Sequence, residues 1–274
     1  MTASARRTQL APGFILHHRP YRDTSRIFEV FTRDFGKLSL FARGVRGPRT
    51  RHMAQLQPFQ MLLLSWSGRG EAPMLTGAET AGEVLPLPPA SLMGGFYLNE
   101  LLLKLITRHD PLPAVFDVYH GTLETLKHGA ALESTLRIFE KRLLEILGYG
   151  LDLSTDAQTG GGIDPDAHYL FRLTHGMFRT AADAPAAVRG RSVIALAQER
   201  LVDTRELEDA RRIMQSALAH VLEGRELNTR AVAREVHGLR ALHGLRPNFP
   251  RGSRKDRDPL QIAARSAPGR GESE

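Results

Sequence analysis

At 274 residues, with 42% hydrophobic and 24% charged side chains, the chain has the length for one large domain or two unequal ones and too much apolar content to be disordered throughout. It contains no cysteine, which excludes disulfides, thiolate nucleophiles and every cysteine-ligated zinc site. The net charge of +7 is concentrated: residues 1–80 hold 12 Arg and Lys against 5 Asp and Glu, so the rest of the chain sums to zero and a polyanionic partner is expected at the N-terminal part.

No apolar run reaches the roughly 18 residues that a membrane span needs, and MTASARRTQLAPGF lacks the apolar core of a signal peptide, so a cytoplasmic protein is expected. Five β-rich runs follow at 13–19, 26–32, 38–44, 60–66 and 73–79. Turns at Asp34-Phe35-Gly36-Lys37 and Ser67-Gly68-Arg69-Gly70 separate them, where glycine permits positive φ. Five strands in about eighty residues suit a small closed barrel. Leu85-Pro86-Leu87-Pro88-Pro89 reads as a linker, because proline lacks the amide donor that a helix or central strand requires.

Beyond the linker the apolar period becomes helical. Tyr97, Leu101, Leu102, Leu105 and Ile106 share a face, and Arg108-His109-Asp110-Pro111 ends that helix. Further helices are predicted at 114–127 and 132–147. The second carries Leu136, Phe139, Leu143, Leu144 and Leu147 as its stripe, with Arg137, Lys141 and Arg142 off it and Gly148 as C-cap. Residues 154–166 read as a loop, 169–179 as a strand pair, 207–222 as an amphipathic helix, and Asn228 or Thr229 as the cap of a last helix reaching about Leu242. From Pro247 onward few apolar residues remain and a disordered basic tail is expected. The organisation is thus α+β: a five-stranded barrel over 1–82, a helical domain over 83–246 with a loop and short-strand insertion near 150–180, and a tail over 247–274.

The densest cationic cluster, Arg43-Gly44-Val45-Arg46-Gly47-Pro48-Arg49-Thr50-Arg51, suits phosphate contact: guanidinium groups pair bidentately with phosphate oxygens and glycine admits the nucleic-acid backbone closely. Most aromatics of this region belong to a core, with Tyr21 and Phe35, both in turns, the best candidates for exposed stacking platforms. Asp164, Asp166 and His168 offer metal-ligand types without a fourth partner, and no phosphate-cradling glycine loop exists, so no enzyme and no cofactor are expected.

Phe14-Ile15-Leu16-His17-His18-Arg19-Pro20-Tyr21-Arg22-Asp23-Thr24-Ser25, followed by Val30-Phe31-Thr32 and Gly36-Lys37, resembles the opening of RecO proteins. The likeness continues through Ala42-Arg43-Gly44-Val45-Arg46, Leu56-Gln57-Pro58-Phe59, Tyr97-Leu98-Asn99-Glu100-Leu101-Leu102, and Leu136-Arg137-Ile138-Phe139-Glu140 into Leu147-Gly148-Tyr149-Gly150, in family order over roughly residues 10–180. The resemblance implies an OB-fold followed by a helical domain, a role in recombinational repair through the RecF pathway, and a place in the cytoplasm on the nucleoid. It also implies partners: single- and double-stranded DNA, RecR, and the acidic, Phe-ending tail of single-stranded DNA-binding protein, which RecA replaces.

On that reading Arg43, Arg46, Arg49, Arg51, Lys37, Arg22 and Tyr21 form the DNA contact. Arg137, with Phe139 and Leu143 beside it, is the matching site for the tail peptide. Some family members carry a four-cysteine zinc site after the matching Gly-Tyr-Gly; here residues 151–163 have none, so no zinc is expected and other contacts must shape the loop. Two rivals remain open from the residues alone: an adaptor whose barrel binds protein or RNA, and a metal-dependent nuclease using Asp164, Asp166 and His168.

Overall fold

The structure, a computed structural model, describes residues 7–43 and 56–229. Five strands, β1 (Arg7–Tyr21), β2 (Ser25–Thr32), β3 (Gly36–Ala42), β4 (Leu62–Ser67) and β5 (Met74–Thr80), close into a barrel of order β1-β2-β3-β5-β4, the OB arrangement. The long first strand makes closure possible. Its first half pairs with β4 and its second half with β2, with irregularities at Thr8/Ala11 and Ile15/His17 where it changes direction. Side chains alternate accordingly: Ile15, Phe28, Val30, Leu38, Leu40, Leu64 and Trp66 fill the interior, while Phe14, Leu16 and Phe31 point outward.

Those outward residues are covered by helices. α1 (Leu92–Leu105) and α2 (Pro113–Lys127) bring Leu98, Val115, Phe116 and Tyr119 against the barrel, α3 (Leu132–Ile146) packs on these two helices, and Phe14 meets the rings of Phe116 and Tyr119 at 5.3 and 5.1 Å. At the irregularity in β1 the Leu16 carbonyl accepts from Asn99 Nδ2 at 2.9 Å, and Tyr119 donates in turn to Asn99 Oδ1 at 2.5 Å. Burial pushes the Tyr119 hydroxyl far above its usual range, so it stays protonated and serves as donor.

The expected linker is not a free connector. Leu87 is buried in the core that runs from Phe14 through α1, and Pro89–Ser91 forms one 3-10 turn leading into that helix. A second junction lies after α1, where His109 N donates to Lys37 O at 2.9 Å and Arg108 reaches both Glu29 Oε2 and Ser39 Oγ at 2.7 Å. Gly36, at φ +67°, receives this segment so closely that a Cβ would lie 2.2 Å from the Asp110 carbonyl oxygen.

The remainder holds a three-stranded sheet of order β7-β6-β8, from β6 (His168–Arg172), β7 (Gly176–Thr180) and β8 (Val188–Arg189), followed by α4 (Gly190–Ala197) and α5 (Thr204–Val221). The last begins three residues before its apolar stripe, because Asp203 and Glu206 form a capping box. α4 follows an Ala-rich stretch, residues 181–187, that carries no clear period. Ser192 and Arg189 both donate to the buried Asp209 carboxylate, which ties the start of α4 to α5. The expected course of the last helix from 230 to Leu242 and the expected tail over 247–274 lie outside the described residues. No helix of the described residues is long and apolar enough to cross a membrane.

Candidate nucleic-acid interface

The helices cover only part of the barrel's outer wall. In register, Arg19 lies opposite Ile27 and Ile27 opposite Phe41, so these three share a row across β1, β2 and β3, and Tyr21 is two residues beyond Arg19 on the same face. Arg19, Tyr21, Arg22 and Arg43 are all exposed. The Tyr21 ring meets Phe41 edge-on at 5.5 Å, the Arg22 guanidinium lies 5.5 Å from the centre of the Tyr21 ring, and that of Arg43 lies 5.9 Å from the Phe41 ring. Two aromatic rings flanked by two cations thus form a ridge along the distal end of the barrel wall. Such a ridge offers phosphate contacts beside a flat apolar edge against which a base can stack.

His17 and His18 lie at the base of the same hairpin. Burial, with Arg26 and His17 nearby, holds the His18 imidazole below its ordinary value of 6.5, so it is neutral at pH 7 and the positive field there comes from arginine. Arg43 is the last described residue before position 56; Arg46, Arg49 and Arg51 lie outside the described residues.

Two expected contacts are corrected by the fold. Lys37 is buried, and its ammonium donates to the Leu103 carbonyl at 2.6 Å, near the end of α1; burial and the neighbouring Arg108 lower its pKa. It joins barrel to helix. Phe35 is no platform either: its ring packs edge-on against Trp66 at 5.2 Å and closes one end of the barrel interior. The adjacent Arg33 is bound to Asp117 of α2 through Nε and Nη2 at 3.2 and 3.1 Å.

At the expected peptide site, Phe139 and Leu143 are fully buried core residues and line no open groove. Arg137 lies at the surface of that core with 11% of its side chain exposed. Its Nη2 donates to Glu140 Oε1 at 2.7 Å, an oxygen that also accepts from the Tyr97 hydroxyl, while its buried Nε has no hydrogen-bond partner among the described residues. The guanidinium is thus held against Glu140, with only a small part of the side chain open to solvent.

The cysteine-free loop is shaped by carboxylates that accept from backbone. Asp152 accepts from Ser154 N and Thr155 N, and the buried Asp156 from Gln158 N, Thr159 N and Arg179 Nε, the last at 2.8 Å. Burial works to raise the Asp156 carboxyl, and these donors outweigh it and hold it below the usual carboxylate range. With no cysteine and both carboxylates so engaged, residues 151–163 do not fit a zinc ion. Nor do the acidic candidates converge: Asp164 binds Arg179 and Asp166 binds Arg191, and among the described residues no group of three His, Asp or Glu is placed to hold a metal.

Comparison with known proteins agrees with this architecture. The family description "Recombination protein O N terminal" matches residues 7–83, and "Recombination protein O C terminal" matches residues 89–231. Among similar proteins, DNA repair protein RecO of Nitrosococcus oceani is 43% identical over 235 residues, covering 85% of this chain and 96% of its own. That of Methylococcus capsulatus is 43% identical over 228 residues, covering 83% and 94%, and that of Alkalilimnicola ehrlichii 44% over 237 residues, covering 85% and 94%.

Proposed function

Because the chain belongs to the RecO family of DNA repair and recombination proteins, we propose that it is a recombination mediator that binds single- and double-stranded DNA, anneals complementary strands and helps RecA replace single-stranded DNA-binding protein. The observation that carries the DNA-binding part is the exposed Arg22-Tyr21-Phe41-Arg43 ridge, which leads into the arginines at 46, 49 and 51. A surface of this kind lowers the repulsion between two phosphate backbones by neutralising both, so annealing proceeds without nucleotide hydrolysis or any covalent step. RecR and the acidic tail of single-stranded DNA-binding protein are the protein partners in this reading. Arg137, 11% exposed at the surface of the helical core, is the cation for the tail's terminal carboxylate in this reading; the apolar contact for the phenylalanine comes from residues other than the buried Phe139 and Leu143.

The combined substitution Arg43→Ala, Arg46→Ala and Arg49→Ala tests the DNA surface. Affinity should fall, and the slope of log K against log salt should flatten by about one for every phosphate that is no longer neutralised. Unchanged binding in the folded variant would remove the assignment. For the tail, annealing of coated complementary strands is compared using coat protein with and without its acidic C-terminus. Tail-dependent acceleration that disappears in Arg137→Ala supports the site, whereas equal acceleration with both coat proteins defeats it.

A further inference from the structure

The loop over residues 164–168 forms one wall of an open cleft of about 270 Å3. Strand register sets its floor. His168 of β6 lies opposite Arg189 of β8, and the next pair, Tyr169 and Val188, is buried, so His168 and Arg189 share the face turned away from the core. Arg189 is fixed there by Asp209 of α5, which accepts from its Nε at 2.9 Å, and by Ser192 Oγ, which accepts from its Nη2 at 2.9 Å. α4 closes directly onto the loop: Gly190 N donates to Ala167 O at 2.8 Å and Arg191 N to Pro165 O at 3.1 Å. Only glycine fits at 190, since a Cβ would stand 1.8 Å from the Asp164 carbonyl oxygen. That approach places Arg191 beside Asp166, and Arg205 lines the same cleft from the first turn of α5.

Three guanidinium groups thus line the cleft against one carboxylate. The buried Asp209 that holds Arg189 is itself shared with Arg212, so its charge is outnumbered too. The Arg191–Asp166 pair is 61% and 78% exposed, a contact that water and a competing anion open at little cost. Arg205 is exposed and makes no hydrogen bond or ion pair among the described residues. Arg191 and Arg205 both stand in the first turn of a helix, where the backbone dipole favours anions, so the helix ends add to the field of the arginines. We propose, on the strength of the DNA-binding reading above, that this cleft is a second nucleic-acid contact, which takes the phosphates of one strand while the barrel ridge holds another. A phosphodiester backbone is the anion that fits. Guanidinium forks pair with its oxygens, and an open cleft whose apolar lining is a proline and an alanine offers no anchor for the side chains of an acidic peptide. Two strand sites on one chain raise the effective concentration of one strand beside the other, which is what annealing without nucleotide hydrolysis needs.

The test uses the full-length chain and a single strand of about eight nucleotides, within the span that one barrel covers. The unsubstituted chain should bind two such strands. Arg22→Ala with Arg43→Ala should leave the cleft site alone, Arg191→Ala with Arg205→Ala the ridge site alone, and all four together neither, with urea midpoints unmoved because the four side chains are exposed. Loss of the cleft should also slow annealing of complementary strands by about tenfold and flatten its salt slope by about two. Asp166→Asn removes the carboxylate that competes for Arg191 and should tighten the cleft site by about threefold, a gain that a purely structural cluster would not give. Two sites retained in the Arg191 and Arg205 variant, or loss of both sites there with an unmoved midpoint, would overturn the proposal. So would a single site in the unsubstituted chain that Arg22→Ala with Arg43→Ala abolishes, which leaves the ridge as the whole DNA surface. A polyglutamate peptide that occupies the cleft more tightly than the oligonucleotide overturns it as well and assigns the cleft to an acidic protein. An unsubstituted chain that binds no strand at all removes the DNA-binding reading itself, and the second site with it.

Discussion

Lys37 shows how one cation can be misread from its neighbours. It sits in the most basic stretch of the chain, next to a turn glycine, and charge alone places it with Arg22 and Arg43. In the fold its ammonium is buried on the Leu103 carbonyl, so Lys37→Met should leave the DNA affinity and its salt slope unchanged and cost stability by about 1 kcal/mol, the ordinary net worth of one hydrogen bond. Arg22→Ala and Arg43→Ala should do the reverse, each flattening the salt slope by about one with the urea midpoint unmoved. A Lys37→Met protein that bound DNA as weakly as Arg43→Ala would return Lys37 to the interface. Beside it, Gly36→Ala sets a Cβ against the Asp110 carbonyl at positive φ and should destabilise by roughly 3 kcal/mol. The exposed arginines and Tyr21 are legible in the sequence because turn position and charge are local properties. The burial of Lys37 and Phe35 is not, because it depends on α1 and Trp66, respectively 66 and 31 positions further along.

Periodicity identifies most of the elements, and the sequence misleads where periodicity fails. All five barrel strands and α1, α2, α3 and α5 carry their pattern within the segment. α4 is eight residues long, too short to display a stripe, and its start is fixed by Asp209 from the next helix. The amides of Asn228 and Thr229 obey the same logic, since their acceptor is Glu100 on α1. Burial works to raise the Glu100 carboxyl, but the Thr229 and Asn228 donors and Lys104 outweigh it and hold it below its ordinary 4.5. A carboxylate depressed in the folded state contributes stability that is present above 4.5 and lost as pH falls through the lower folded value. Glu100→Gln should therefore lower stability near neutrality and show a shallower loss in acid below that point, measured by urea midpoints against pH. Parallel pH curves for the two proteins would show that Glu100 does not supply the effect.

At the scale of the molecule, the sequence presents barrel and helices as two domains joined by a proline-rich linker, yet the core that begins at Phe14 and Phe31 on the outside of the barrel continues without a break through Leu87, α1, α2 and α3 into α5. The barrel interior, with Trp66 inside it, is a separate and smaller cluster. Sequence periodicity assigns each strand an inside and an outside but does not say that the outside is also buried, which is why a shared core reads as two. The arrangement matters for the proposed function, since a DNA-binding ridge on the barrel and Arg137 on α3 are then held at a fixed separation and not on a hinge. Two elements sharing a buried interface of this kind should unfold together. The chain has a single tryptophan, Trp66, so its fluorescence reports the barrel while far-ultraviolet dichroism reports chiefly the helices. The two urea transitions should coincide in midpoint and slope. Phe116→Ala, which removes the ring that Phe14 and Phe31 both pack against, should shift both together by about 3–5 kcal/mol. If tryptophan and dichroism separate, or if Phe116→Ala moves the helical signal alone, the barrel is an independent unit and the spacing between the two binding surfaces is no longer fixed.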